Sequence, residues 1–234
     1  NMAFDNFLYA GYEAYAAMTI DRDPMLQEHL RKVAEEDFAF ATEKFEREGF
    51  DLFKQMYEHS YNTSESQYMA TISWSASMLY KLTGKAYYAE KAAETIRYVL
   101  ACQRTKPLQD PEKTCGFFYR DQSGKSIVHY IHQSREQVYM QAMTLLCETQ
   151  KQHPDYQKWV NSIQLYGNYL KGLMKYTRPY GMIPSGVYHA EEYSDSASFY
   201  ALHLFPPANA RQLYTEQVKR GVKLDKEHYL KRFP

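Results

Sequence analysis

The chain has 234 residues, and its 28 basic and 28 acidic side chains leave no formal net charge. This balance argues against nucleic acid as a partner, because nucleic-acid-binding domains carry a basic surface. No apolar run approaches the roughly 20 residues that a membrane-spanning helix needs, so we expect no membrane insertion.

Apolar residues recur at three- and four-residue steps along most of the chain, which is the periodicity of amphipathic helices. Asp23 and Pro24 match an N-cap followed by proline at the first helical position. Two capping-box patterns, at Ser64 and Ser134, open later helices, and Gly84 is suited to end one. The pattern predicts helices over residues 4–20, 24–47, 64–82, 86–103, 134–149, 155–176 and 197–204.

The connections between these helices alternate in length. Short polar breaks follow the first, third and fifth helices, whereas long connections follow the second and fourth. Helical hairpins therefore recur at a period of roughly 60–70 residues, which is longer than most solenoid repeats. We expect one domain over residues 1–234, with the long connections gathered on one face, where a site would lie.

Residues 116–137 form the most unusual of these connections. Two β-like runs, 117–120 and 127–131, flank residues 121–124, which have the composition of a turn. The sequence therefore predicts one small β-hairpin insertion in an otherwise all-α chain. The insertion concentrates residues that bind ligands or carry chemistry, namely Tyr119, Arg120, Asp121, His129, His132 and Glu136.

Two segments of the chain, one at a helix end and one in the insertion, resemble parts of a known superfamily. Residues 79–84, Leu-Tyr-Lys-Leu-Thr-Gly, resemble the hairpin turn of the six-hairpin, (α/α)6-toroid glycosidases. Residues 116–121, Gly-Phe-Phe-Tyr-Arg-Asp, are similar to the strand that borders their cleft. The character is closest to cellulase-like, family 9-type members. The resemblance implies an (α/α) toroid of hairpins and an enzyme that hydrolyses glycosidic bonds in a poly- or oligosaccharide, without a cofactor, outside the cytoplasm.

The chain also departs from that superfamily. The pattern gives six or seven helices, about half of a ring of six hairpins, so we expect the domain to be incomplete at its C-terminus. The rest of the polypeptide or self-association would then complete the ring. The Asp-Ala-Gly-Asp motif of the cellulase-like enzymes is absent from the sequence. The resemblance therefore transfers no catalytic residue.

Glycoside hydrolysis requires two carboxyl groups, about 5–5.5 Å apart for retention or ~6.5–9.5 Å for inversion. Asp121 and Glu136 are the best local pair, because both border the insertion. Glu65 is a third catalytic candidate, at the start of a helix on the face of the long connections. A structural alternative stays open for each, since helix first turns favour carboxylates and aspartate suits a turn.

The same region offers groups for substrate binding. Tyr119 and Trp74 have rings on which a sugar could stack, although core packing is the alternative for Trp74. His129 or His132 could hydrogen-bond a sugar hydroxyl, and Arg120 could hold a uronic acid carboxylate. We predict no metal site, because residues three apart on a strand point to opposite faces and the two histidines would diverge.

Two other functions remain open at this point. A polysaccharide lyase or sugar epimerase could use the same scaffold with a histidine or tyrosine as base. A non-catalytic helical-repeat module could use the insertion to bind a glycan or a protein. The three cysteines lack metal-type spacing, and we expect Cys102 and Cys147 to be buried and to form no disulfide framework.

Overall fold

The computed structural model describes residues 2–50, 64–108, 113–125, 127–128 and 137–183. The all-α prediction is confirmed for this part of the chain, and none of its helices is both long and apolar enough to span a membrane. The predicted helix over 197–204 and the capping box at Ser134 lie outside these residues. The helices are α1 (Ala3–Thr19), α2 (Pro24–Glu48), α3 (Glu65–Thr83), α4 (Ala86–Ala101), α5 (Gln137–Thr149) and α6 (Tyr156–Leu173), followed by a 3-10 turn at Met174–Thr177.

Three predicted helix boundaries are confirmed by their capping groups. The Asp23 carboxylate accepts a hydrogen bond from the backbone N–H of Leu26 at 2.9 Å, at the start of α2. At the start of α3, the Ser64 N–H donates to Gln67 Oε1 at 3.0 Å, and the Gln67 N–H donates back to Ser64 Oγ at 3.3 Å. Gly84, with φ of +69°, ends α3 in the left-handed conformation.

Consecutive helices form antiparallel hairpins, as the short breaks predict. Phe7, near the start of α1, packs on Phe38 and Phe45 in the second half of α2, with ring centroids 5.2 and 6.4 Å apart. Tyr98, near the end of α4, bonds Glu65 at the start of α3. Helices α5 and α6 pack against each other as the third pair.

The first helices of the pairs lie side by side, because α3 packs against both α1 and α5. Phe4 of α1 contacts Tyr68 of α3 at 5.2 Å between ring centroids, and about two turns further along both helices Tyr12 contacts Trp74 at 5.0 Å. Because the contacting residues come later in both helices, α1 and α3 run parallel.

The same relation holds between α3 and α5. Ser66 Oγ and the Tyr139 hydroxyl are 2.7 Å apart near the two helix starts. Lys81 and Glu148 form an ion pair at 2.6 Å near the two ends. Helices α1, α3 and α5 are therefore parallel, and their N-terminal ends lie at one end of the row.

The second helices of the pairs form a second row. Phe38 of α2 packs edge-on against Tyr88 of α4, with ring centroids 5.4 Å apart. Arg97 of α4 lies 3.3 Å from Asp155, the residue that precedes α6. The described part is thus a double layer of helices with its main core between the two rows.

The predicted β-hairpin insertion is only partly right. Tyr119 pairs with Ile127, and the Val128 N–H donates to the carbonyl of Phe118 at 2.8 Å, so the two arms do meet. Phe118 also pairs with Gln103 just after α4. Because residues 116–119 are shared between two neighbours, the described residues form isolated antiparallel bridges and no regular strand.

Candidate functional site

The site lies where the insertion meets the first turn of α3. The Ser66 N–H donates to the carbonyl of Arg120 at 2.9 Å, and Ser66 Oγ donates to the carbonyl of Tyr119 at 2.8 Å. These two bonds hold the insertion against the end of α3 that carries Glu65. The next residue of the insertion, Asp121, is thereby brought to the same end of the helix row.

A buried glutamine holds the other side of the insertion in place. Gln103 Nε2 donates to the carbonyls of Gly116 and Ser162 at 3.0 and 3.1 Å, and Ser162 Oγ donates to Gln103 Oε1 at 2.6 Å. The glutamine is 8% exposed, so all three bonds are shielded from water. They connect the end of α4, the insertion and α6 through one side chain.

Four titratable groups gather around this junction. The Tyr98 hydroxyl donates a hydrogen bond to Glu65 Oε2. Burial raises the pKa of Tyr98, and the hydrogen bond from its hydroxyl to Glu65 and the charge of that carboxylate raise it further, with smaller contributions from Cys102 and Asp121. Burial, followed by the charges of Asp121 and Glu65, raises the pKa of Cys102 to about 12. The Cys102 thiol and the Tyr98 phenol therefore stay protonated at neutral pH. The charges of the two nearby carboxyl groups raise the pKa of both.

Asp121 also serves the turn in which it lies. Its Oδ1 accepts the backbone N–H of Ser123 at 2.7 Å, and Gly124 follows with φ of +67°. This is the local chemistry that the sequence predicts for residues 121–124. One carboxylate oxygen of Asp121 is therefore committed to the backbone, which fixes the orientation of the group.

The aromatic candidates are largely buried. Tyr119 is 7% exposed and packs on Phe117 at 5.2 Å between ring centroids, with Ile127 in the same small cluster. Trp74 is also 7% exposed, and Tyr12 covers part of it. Only a small edge of each ring is open, which is the core-packing alternative that the sequence left open for Trp74.

The remaining candidates divide into two groups. Arg120 is partly buried and contributes its carbonyl to the junction with α3. His129, His132 and Glu136 lie outside the described residues. Within the described ranges, no three histidine, cysteine or carboxylate side chains are grouped in a way that could hold a metal ion.

Sequence reasoning identified Glu65 and Asp121 but missed Tyr98 and Cys102. Tyr98 lies three residues before the end of α4. An antiparallel α3–α4 hairpin places that position beside the start of α3, so the hairpin pattern held the necessary signal. Cys102 was interpreted only as a small buried side chain, which it is, and its proximity to two carboxylates depends on the path of the insertion.

Comparison of the chain with protein-family models, with curated proteins and with solved structures finds no match.

Proposed function

We propose that this chain hydrolyses glycosidic bonds in an oligo- or polysaccharide, with Glu65 and Asp121 as the paired carboxyl groups. The observation that carries the proposal is that Tyr98 bonds Glu65 at the start of α3, while the bonds from Ser66 to the carbonyls of Tyr119 and Arg120 bring Asp121 to the same end of that helix. They lie at the end of the helix row where the long connections emerge. We further propose that the two rows curve into part of an (α/α) toroid.

The two carboxyl groups have complementary tasks in this reaction. One protonates the oxygen of the leaving sugar, and the other activates a water molecule or attacks the sugar carbon directly. Tyr98 orients the Glu65 carboxylate through its hydroxyl, and the Ser123 N–H orients that of Asp121. Fixed orientation of the reacting groups is itself a large part of catalysis, because it replaces a bimolecular encounter.

The test is a screen of chromogenic glycosides and polysaccharides with the wild-type chain and with Glu65→Gln, Asp121→Asn and Glu136→Gln. Loss of a general acid or base costs about 10²–10⁴-fold in rate. We expect losses of that size for Glu65→Gln and Asp121→Asn. Glu148→Gln is the matched control, because it removes a carboxylate from the other end of the α3–α5 pair, where it bonds only an exposed lysine in the described contacts.

Unchanged hydrolysis in both Glu65→Gln and Asp121→Asn would remove these residues from the mechanism. A loss confined to Glu136→Gln would move the site further along the insertion. Binding of a polysaccharide by a wild-type chain that hydrolyses none would instead favour the non-catalytic helical-repeat module.

A further inference from the structure

A concave site lies on the other side of the insertion. It is a cleft of about 160 Å³ between residues 113–115 and the C-terminal end of α6 with its 3-10 turn. Pockets for drug-sized molecules have volumes of about 300–1,000 Å³, so this cleft fits one small chemical unit. It shares no lining residue with the Glu65 and Asp121 junction.

The described lining of the cleft carries only basic charge, in a chain that is neutral overall. Of the ten described residues that line it, two are lysines, Lys113 and Lys175, and none is aspartate or glutamate. Lys175 Nζ lies 5.0 Å from the centre of the Tyr176 ring, so the charge is held beside the wall of the cleft. A concave surface with one sign of charge concentrates ions of the opposite sign. The cleft therefore favours an anionic ligand.

The floor of the cleft includes a helical glycine, Gly172 of α6. A Cβ atom built on Gly172 would meet no atom of the described residues within 4 Å. Glycine inside a helix costs roughly 0.5–1 kcal/mol relative to alanine, and no packing contact among the described residues requires this cost. Its effect is to leave the helix backbone open to close approach by a ligand.

The other walls suit a sugar. Tyr169 and Tyr176 supply aromatic rings with polar hydroxyl tips, and the Asn168 amide can both donate to and accept from hydroxyl groups. A hexose ring has apolar C–H faces and a polar rim, which match these two kinds of wall. Its carboxylated form would also match the lysines.

We propose that this cleft binds one carboxylate-bearing sugar unit, with Lys113 and Lys175 at the carboxylate and Gly172 beneath the ring. The inference rests on the proposed function for the choice of a sugar, and on the lysines for the choice of an acidic one. The cleft would hold a uronic acid residue of a polysaccharide away from the bond that is cleaved.

The experiment uses Cys115, which lines the cleft and is a partly exposed free thiol, as a local reporter. Alkylation of Cys115 is followed by peptide mass spectrometry, with the partly buried Cys147 as internal reference. The probes are methyl β-D-glucuronide, the neutral methyl β-D-glucoside, and acetate. We expect only the glucuronide, at millimolar concentration, to slow alkylation of Cys115, while Cys147 reacts as before.

Matched glycine variants test the cleft floor. Gly172→Ala fills the floor, and we expect it to weaken glucuronide protection about tenfold. Gly167→Ala is the control, because it lies on the same helix with equally open space and outside the cleft. Replacing Lys113 and Lys175 together by glutamine should likewise remove protection by the glucuronide.

Failure of the glucuronide to protect Cys115, or equal effects of the two glycine variants, would overturn the proposal. Equal protection by acetate would show a simple anion pocket and overturn its sugar part. Protection is measured without turnover, so it is separate from the hydrolysis screen. Glucuronide protection without hydrolysis contradicts only the proposed function, and hydrolysis without protection contradicts only this inference.

Discussion

Gly11 of α1 lies against the indole ring of Trp74 of α3. A Cβ atom at this position would come within 2.8 Å of Trp74 Cε3 and of Ser75 Oγ. Ser75 Oγ also donates to the carbonyl of Phe7 at 2.5 Å, so a third contact ties the two helices at the same level. The close approach of α1 and α3 therefore depends on a missing side chain.

We expect Gly11→Ala to destabilise the protein by about 1–3 kcal/mol, because overpacking of a tight interface outweighs the better helix propensity of alanine. The free energy of unfolding in urea measures the effect. Gly167→Ala, in open space on α6, should be neutral or stabilising by up to about 1 kcal/mol. A Gly11→Ala variant as stable as the wild type would show that Trp74 moves aside at no cost.

A second glycine fixes the insertion against α6. Gly116 has φ of +100°, and a Cβ atom there would lie 2.5 Å from the carbonyl oxygen of Leu165. Gly116→Ala therefore adds a steric clash to a strained backbone, and we expect a loss of about 3 kcal/mol or more. Gly124 also has a positive φ, of +67°, but a Cβ atom there would stay 3.8 Å from the Tyr119 ring, so Gly124→Ala should lose only about 1–2 kcal/mol.

Thermal unfolding of the two variants separates strain from clash. The expected result is a clearly lower Tm for Gly116→Ala than for Gly124→Ala. Equal losses would mean that the backbone of α6 yields to the new methyl group and that only the positive φ matters at either position.

Two buried serines on α3 provide a third prediction. Both Ser75 and Ser77 are fully buried, but Ser75 Oγ donates to a carbonyl of α1, whereas Ser77 Oγ has no hydrogen-bond partner in the part of the chain that the structure describes. A buried polar group without a partner costs about 1–3 kcal/mol. Ser77→Ala should therefore stabilise the protein by roughly 1 kcal/mol, and Ser75→Ala should destabilise it by a similar amount.

Chemical denaturation of Ser75→Ala and Ser77→Ala gives the comparison directly. Alanine keeps the helix propensity high in both, so opposite signs can be attributed to the hydrogen bond. A loss of stability in Ser77→Ala would show that its hydroxyl has a partner in solution, such as a buried water molecule.

A carboxyl pair between α1 and α2 makes stability depend on pH. Burial, followed by the charge of Asp37, raises the pKa of Glu13 above its ordinary value of 4.5, and Glu13 Oε2 is buried with no hydrogen-bond donor among the described residues. A raised pKa means that the folded state binds the proton more tightly than the unfolded state. Protonated Glu13 therefore contributes to the free energy of unfolding. This contribution is complete below about pH 4.5 and is lost as the pH rises through the raised pKa.

Glu13→Gln should therefore stabilise the protein at pH 7 and make little difference near pH 4. The gain should be on the order of 0.5 kcal/mol, because the carboxyl group is only partly shielded from water. Urea unfolding at the two pH values measures it, with the exposed Glu43→Gln as control. A gain of the same size at both pH values would show that packing, not protonation, is responsible.

The sequence predicted the helices and their pairing better than it predicted which faces they bury. Tyr12 and Tyr15 belong to the apolar repeat of α1, yet they are 55% and 53% exposed. The helix instead buries alanines, at Ala10, Ala14 and Ala17, which allow α2 and α3 to approach closely. A search for helical periodicity treats tyrosine as an apolar residue, but the tyrosine hydroxyl is well hydrated. A helix face with tyrosines can therefore be exposed to solvent while small residues form the helix interface.

The candidate site shows a similar limit. Glu65 and Asp121 were identified because first turns and loop insertions are local features of the sequence. The contact between Glu65 and Tyr98 joins residues 33 positions apart, and the bond from Ser66 to the insertion spans 53 positions. The first contact follows from the antiparallel α3–α4 hairpin, which the sequence predicted. The second depends on how the insertion packs against α3, which no local pattern encodes.

The last prediction concerns Tyr98, which we interpret as a positioning residue for Glu65. Tyr98→Phe removes the hydroxyl that bonds the carboxylate but keeps the ring, so we expect the fold to survive and kcat to fall by about tenfold or more. KM should change little, because Tyr98 orients the reacting carboxylate and does not itself hold the substrate.

Tyr88→Phe is the matched control for this experiment. Tyr88 lies on the same helix and donates to a glutamate, Glu35, at 3.4 Å, but on the α2 side, away from the junction. Its removal should leave kcat and KM unchanged. An equal fall in kcat for the two variants would mean that Tyr98 supports only the packing of α4. A fall in kcat confined to Tyr98→Phe, with KM unchanged, would link this hydroxyl to the chemical step.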